Sequence, residues 1–238
     1  MDTPKGKLYL IPTTLGESNP LEVLPLTVRK AVEEIDHYIV EHEKSARRSI
    51  QLIAPSKSQP DLRLVQLNKF TDPGEIKSFL DPCLEGFDVG IISDAGCPGI
   101  ADPGAAVVAL AHEMDIQVVP LVGPSSILLA MMASGMNGQK FAFHGYLPID
   151  KRERKQTIKQ LERESRANEQ AQLFIETPYR NQQLLEALLS TLQPDTRVCI
   201  AADISLATEY IKTLNVADWQ KNKVDLHKRP TLFIIQNN

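Results

Sequence analysis

Apolar and polar positions along this chain follow a repeating rhythm of short apolar runs and longer segments of helical spacing. Apolar runs bounded by turn residues predict strands over residues 7–12, 37–40, 62–67, 88–92 and 116–121. Helical spacing predicts a helix over 24–35, and a short one over 73–80 with Asp72 placed to cap it. The small, uniform run 105–111 predicts a helix packed on a sheet, and 127–133 an apolar helix opened by Gly123-Pro124-Ser125-Ser126. The pattern then repeats. Strands are expected at 141–148, 171–176, 197–202 and 231–236, and helices from 151 to about 168 and from Thr177-Pro178-Tyr179-Arg180 to about 191. Residues 204–214 are rich in β-branched side chains and predict extended structure. Two α/β units with a boundary near residues 120–125, dividing the chain into 1–121 and 122–238, fit this rhythm.

One stretch stands out. The buried strand ending at Ile91-Ile92 runs into Ser93-Asp94-Ala95-Gly96-Cys97-Pro98-Gly99-Ile100-Ala101-Asp102-Pro103-Gly104 and then into a helix. Strand, glycine-rich turn and helix together put a loop at the carboxyl edge of a parallel sheet, where open α/β sheets bind ligands. Glycines let a backbone approach a ligand and prolines stiffen it. The plainer reading is a tight connection in which Asp94 is a turn residue and Asp102 a helix cap. The loop after the first strand, Thr13-Thr14-Leu15-Gly16-Glu17-Ser18-Asn19-Pro20, is a second candidate edge. Neither loop is a P-loop or a Gly-x-Gly-x-x-Gly turn, which speaks against a P-loop nucleotidase and a dinucleotide oxidoreductase.

Composition narrows the classes. The chain has 238 residues and a net charge of −4, so no global basic field draws it to nucleic acid. Cys83, Cys97 and Cys199 lie far apart without a Cys-x-x-Cys pair, which suits a reducing cytoplasm and argues against a zinc site or a disulfide framework. Residues 1–6 carry no signal-peptide core, and no apolar run is long enough to span a membrane, so a cytoplasmic location is expected. Glu41-His42-Glu43-Lys44 mixes metal-ligand types, yet no second ligand pair has suitable spacing, and a solvated helix start is the expectation. The basic opening of the helix at 151–155 allows a phosphate contact, against a default reading as a solvated face.

Four stretches carry a resemblance. They are Leu8-Tyr9-Leu10-Ile11-Pro12-Thr13 with Gly16, Ser93-Asp94-Ala95-Gly96 with Pro98 and Asp102-Pro103-Gly104, Val119-Pro120-Leu121 with Gly123-Pro124-Ser125, and Gly145-Tyr146-Leu147-Pro148. Together they resemble the tetrapyrrole methylase superfamily, the class III S-adenosylmethionine-dependent methyltransferases. The Ser-Asp-Ala-Gly form is similar to the branch of ribosomal RNA small-subunit methyltransferase I, which methylates a cytidine 2′-hydroxyl of 16S ribosomal RNA. Tetrapyrrole enzymes usually show Gly-Asp-Pro there. Glu176-Thr177-Pro178-Tyr179-Arg180 resembles the Glu-Ser-x-x-Arg stretch of the RNA branch.

The resemblance implies two αβα domains of the tetrapyrrole methylase type, S-adenosyl-L-methionine in the inter-domain cleft, no metal, and a homodimer. Carried over position by position, the cofactor would meet Pro12, Asp94, Ala95, Gly96, Ile100, Ala101, Asp102, Ser125, Ser126, Thr177, Ala202 and Thr231. RNA, as part of the small ribosomal subunit, is the implied acceptor. A small tetrapyrrole or other metabolite, or a cofactor-binding module without catalysis, are the alternatives. A hydroxyl acceptor needs a base. Glu176, Glu17 and His144 are the candidates in that order, with Arg180 as a substrate contact. An ion pair between Glu176 and Arg180 is the structural alternative, and a histidine placed like His144 is more often a packed strand residue than a base.

The chain also departs from the RNA branch on polar positions. The branch has an acidic residue followed by Asp-Thr-Arg after its second strand, and Glu41-His42-Glu43-Lys44 stands here. Of its His-x-x-Asn segment after the third strand, Leu67-Asn68-Lys69 keeps at most the Asn. Its Arg-Glu-Leu-Thr-Lys near the end is replaced by Ala202-Asp203-Ile204-Ser205-Leu206.

Overall fold

A computed structural model describes residues 4–68 and 70–237. Lys69 and the first three residues of the N-terminal segment lie outside the described residues. The chain divides into two units, Met1–Ser125 and Ser126–Asn238.

In the first unit β1 (Leu8–Ile11), β2 (His37–Val40), β3 (Arg63–Gln66), β4 (Val89–Ile92) and β5 (Val118–Pro120) form one parallel sheet in the order β3-β2-β4-β1-β5. The helices α1 (Pro20–Val23) and α2 (Leu26–Glu34) link β1 to β2, and α3 (Glu43–Ile53) leads on to β3. Next come α4 (Pro73–Ile76) and α5 (Asp81–Leu84), and α6 (Gly104–Glu113) joins β4 to β5. Both faces of the sheet are covered, which explains why its strands read as unbroken apolar runs. Tyr38, Val40 and Ile92 pack on one face with Val28, Val32 and Ile50. Ile39, Val89 and Ile91 pack on the other with Val107 and Ala111.

The strand order has a consequence for ligand binding. From β1 the chain crosses to β2 on one side, and from β4 it crosses to β5 on the other. Because β1 and β4 are neighbours whose outgoing connections leave to opposite faces of the sheet, a crevice opens at their carboxyl ends.

In the second unit β6 (Phe141–Tyr146), β7 (Ala171–Ile175), β8 (Arg197–Ala202), β9 (Tyr210–Asn215) and β10 (Thr231–Gln236) are ordered β6-β7-β10-β8-β9. Only the β6–β7 pair is parallel; the other pairs are antiparallel. Alternate residues Phe174, Val198, Ile200, Phe233 and Ile235 share a core with Ile158 and Leu161 of α8 (Lys151–Asn168). Leu184 and Leu188 of α9 (Asn181–Thr191) and Trp219 of α10 (Val216–Trp219) complete that core. On the unit's remaining side α7 (Ser126–Ser134) packs against β8, β9 and β10. Both units are therefore α/β layers, as the resemblance implied. Among the described residues, no helix is long and apolar enough to cross a membrane.

Four elements, β2, α8, β8 and β10, fall on the ranges read from the pattern. Asp72 caps α4 as expected, its Oδ1 accepting from the Gly74 N–H at 3.0 Å. The helix expected from Thr177 starts instead at Asn181, because Glu176 Oε1 accepts from the Thr177 N–H and ties down Arg180, turning the chain first. Residues 204–214 are extended only from Tyr210, since Asp203 and Ser205 take positive φ angles of 50° and 68° and fold the chain into a turn. The expected helix over 73–80 splits into α4 and a 3-10 turn, Lys77–Leu80.

Gly123 packs directly on Pro12: a Cβ there would stand 2.2 Å from Pro12 Cβ and 2.3 Å from Pro12 Cγ. Gly123→Ala is expected to lower the unfolding free energy by about 1–3 kcal/mol through overpacking, measured by chemical denaturation of the whole chain.

Candidate active site

Two loops meet at the crevice between β1 and β4. The Thr13 N–H donates to Gly96 O at 3.0 Å, and the Thr13 hydroxyl donates to Ser93 O at 3.2 Å. The Ser93 hydroxyl lies 3.1 Å from Gly96 O, closing the turn from inside. Gly96 takes φ +76°, a conformation that a side chain would strain, and its site is bounded by Leu15 and the Pro124 carbonyl. The Cys97 thiol donates to Pro124 O at 3.4 Å, drawing the segment after β5 to the same edge. Farther along the loop, Asp102 Oδ1 accepts from the N–H groups of Gly99 and Gly104, both at 2.8 Å. Pro103 occupies the cap position of α6, so Asp102 is not the helix cap of the plainer reading; one residue earlier, it takes up the first N–H of the helix and closes the Gly99 turn.

Beside these loops lies a cleft of about 580 Å³ lined by Glu41, His42, Asn68, Phe70, Ala101, Asp102 and Pro103. These residues follow β2, β3 and β4. The cleft and the crevice share a wall, because Asp94 reaches across to the loop after β2. His42 Nδ1 lies 2.6 Å from Asp94 Oδ2, and the Ser45 hydroxyl donates to Asp94 Oδ1 at 2.6 Å. The Asp94 N–H donates to Glu41 Oε1 at 3.3 Å.

The electrostatics follow from burial. Burial pushes the Glu41 carboxyl above its usual range; the Asp94 N–H opposes the rise, and the charges of Asp94 and Asp102 add to it. Burial raises Asp102 as well, against the N–H groups of Gly104 and Gly99. Among the described residues no group of three or more His, Cys, Asp or Glu side chains could hold a metal ion.

The model for Tetrapyrrole (Corrin/Porphyrin) Methylases matches residues 7–219. The chain belongs to this family. It is therefore an S-adenosylmethionine-dependent methyltransferase by membership. It is 27% identical over 240 residues to a protein of Escherichia coli O157:H7 named Ribosomal RNA small subunit methyltransferase I, covering all of this chain and 80% of that protein. A Thermotoga maritima protein of the same name is 32% identical over 207 residues, covering 87% of this chain and 84% of its own. The crystal structure of the methyltransferase CobJ has the same fold, with a TM-score of 0.65 at 18% identity over 98% of this chain and 94% of that one.

Within this methylase fold, the structure gathers the first unit's expected cofactor residues on one sheet edge. Pro12 follows β1, Asp94, Ala95 and Gly96 follow β4, Ile100 to Asp102 continue that loop, and Ser125 follows β5. Ser126 opens α7. In the second unit Thr177 lies just past β7, while Ala202 and Thr231 are cross-strand partners at the same end of the sheet.

The three expected bases are all engaged. Glu176 is buried, and its Oε1 accepts from the Thr177 N–H at 2.6 Å and from Arg180 Nη2 at 2.7 Å. Glu17 is exposed and pairs with Arg48 at 3.0 Å. His144 Nε2 lies 2.6 Å from Gln172 Oε1. The helix start read at Glu41-His42-Glu43-Lys44 is present, with His42 at the cap position and α3 beginning at Glu43, but that reading gave Glu41 and His42 no part in the site. The available signal was their position immediately after a buried strand of a parallel sheet.

A carboxyl whose pKa is raised by folding binds its proton more tightly in the folded chain than in the unfolded one. Its contribution favours folding below the ordinary value of 4.5 and is lost as pH rises through the raised value. Glu41→Gln should therefore melt with the wild type below pH 4.5 and above it near neutrality, the gap widening with pH in thermal scans.

Proposed function

We propose that this chain transfers the methyl group of S-adenosylmethionine to a ribose hydroxyl of small-subunit ribosomal RNA. The observation that carries the acceptor is the likeness to the two bacterial ribosomal RNA methyltransferases, one of which aligns with the whole chain. The diverging loops after β1 and β4, opening beside a cleft large enough for a nucleoside, support it.

The first unit's residues suit the methyl donor. Ala95, Gly96, Gly99 and Ala101 present little but backbone, and a Cβ on Gly99 would meet nothing within 4 Å, so the loop leaves room. Pro12, Asp94, Ala95, Gly96, Ile100, Ala101, Asp102 and Ser125 are the proposed holders. Ser126, Thr177, Ala202 and Thr231 are proposed contacts on the strength of the resemblance alone. When bound, the cofactor supplies a methyl group already activated for displacement. The chain's own task is to align the acceptor and exclude water. Phe70, 83% exposed at the cleft, offers a face on which a nucleobase can stack. In this reading the protein works as a homodimer in the cytoplasm, with exposed Lys151, Arg152 and Lys155 available to phosphates. A small planar metabolite is the second reading, since the cleft has room for one.

Calorimetric titration with S-adenosylhomocysteine, with ATP and NAD as controls, should give selective binding with a Kd of about 100 μM or tighter. Asp94→Arg should abolish it. Labelled methyl transfer should appear on undermethylated small ribosomal subunits and not on precorrin precursors. The reverse pattern would establish the metabolite reading, and cofactor binding without transfer to any total-RNA or metabolite extract would leave a non-catalytic module. Phe70→Ala should raise the KM for RNA by about tenfold, because stacking of a base on an aromatic ring contributes about 1–3 kcal/mol, with cofactor affinity unchanged.

A further inference from the structure

We infer that His42 is the catalytic base of this chain, taking the proton of the acceptor hydroxyl on Nε2 while Asp94 holds its ring; the inference deepens the RNA reading and rests on it. The geometry fixes both partners. Asp94 Oδ2 lies 2.6 Å from His42 Nδ1, and the carboxylate is itself held by the Ser45 hydroxyl at 2.6 Å on Oδ1. Ser45 sits on the first turn of α3, and its hydroxyl also lies 3.0 Å from the His42 carbonyl, so the residue after β2 and the helix after it are braced together. Against a carboxylate, Nδ1 carries the proton and donates it. That tautomer leaves the lone pair on Nε2, the arrangement a general base requires.

His42 also has the position. It lines the cleft with Phe70 and with Ala101 and Asp102, part of the loop proposed to hold the methyl donor. Its side chain is 67% exposed, and no described residue pairs with Nε2. The other carboxyls of the cleft are committed to backbone: Glu41 accepts from the Asp94 N–H, and Asp102 from those of Gly99 and Gly104. In the reaction the acceptor oxygen passes its proton to Nε2 and uses a lone pair to bond the methyl carbon, whose former bonding pair stays on sulfur. His42 then releases the proton to water. His42 stands where the RNA branch has the Asp of its Asp-Thr-Arg, so this base belongs to the present chain rather than to the branch pattern.

The test compares wild type, His42→Ala and His42→Gln in single-turnover methyl transfer to undermethylated small ribosomal subunits. S-adenosylhomocysteine titration and nitrogen NMR of the His42 ring run beside it. The expected result is a kcat lowered by about 10²–10⁴-fold in both variants, with RNA KM and S-adenosylhomocysteine affinity within about twofold of wild type. Added imidazole should raise the rate of His42→Ala, and the wild-type ring should carry its proton on Nδ1. An unchanged kcat, or a ring protonated on Nε2 alone, would overturn the assignment. A fall in kcat matched by lost cofactor affinity would also overturn it and make His42 a positioning residue of the loop. If the wild type itself transfers no methyl to RNA while binding S-adenosylhomocysteine, the RNA reading fails first and the base assignment with it.

Discussion

The hydrogen bonds from Thr13 to the loop after β4 are the constraint on which the site depends. Diverging crossovers leave the last backbone groups of β1 and β4 beyond the reach of the sheet ladder, and buried groups of that kind must find partners. Thr13 supplies them twice, through its N–H to Gly96 and its hydroxyl to Ser93. The bond to Gly96 requires the carbonyl to turn back toward β1, which the positive φ of Gly96 permits. Once the two loops are joined, Asp94 is carried past the edge of β4 to the neighbouring loop after β2, where His42 and Ser45 receive it. One backbone lock therefore sets both the small-residue wall of the crevice and the polar wall of the cleft.

The cleft places its chemistry at an electrostatic disadvantage for RNA. Glu41 and Asp102 line it, Asp94 lies against it, and the chain as a whole carries −4. A phosphate backbone gains nothing from such a surface. Under the RNA proposal, recognition at this edge rests on stacking and on hydrogen bonds to a base or sugar, and Phe70 and Asn68 line the cleft. Under the same proposal, phosphate contacts fall to other surfaces. On α8, Lys151, Arg152 and Lys155 are exposed while Arg154 is buried, so the basic opening of that helix is only in part a solvated face.

How far the fold could be read from the chain depends on the range of the interactions that make it. His37–Val40 is legible because burial on both faces makes an unbroken apolar run, and the loop after β4 because glycine and proline mark it. The turn before β9 is not, since the residues in left-handed conformation there are Asp203 and Ser205 rather than glycine. What holds Asp203 is tertiary: Arg229 Nε at 2.7 Å and the Thr208 hydroxyl at 2.9 Å. The mixed sheet of the second unit was hidden likewise, because alternating apolar residues do not reveal strand direction. The cofactor edge was legible through its motifs. The pairing of His42 with Asp94 was not, because it exists only when β2 lies beside β4, an adjacency decided by packing on both faces of the sheet.

That adjacency bears on what the lost Asp-Thr-Arg means. Read along the sequence, His42-Glu43-Lys44 is a loss of substrate-side residues and invites the idea of a module without catalysis. Read in the fold, the exchange sets an imidazole against an aspartate that is already fixed by Ser45 and by its own N–H. A module that only bound cofactor would gain nothing from bracing an exposed histidine with two loops and the first turn of a helix. A carboxylate aligned on an exposed imidazole beside a space of nucleoside size forms an arrangement suited to moving a proton. The departure from the branch pattern is thus better explained as one polar solution exchanged for another at the same edge of the sheet.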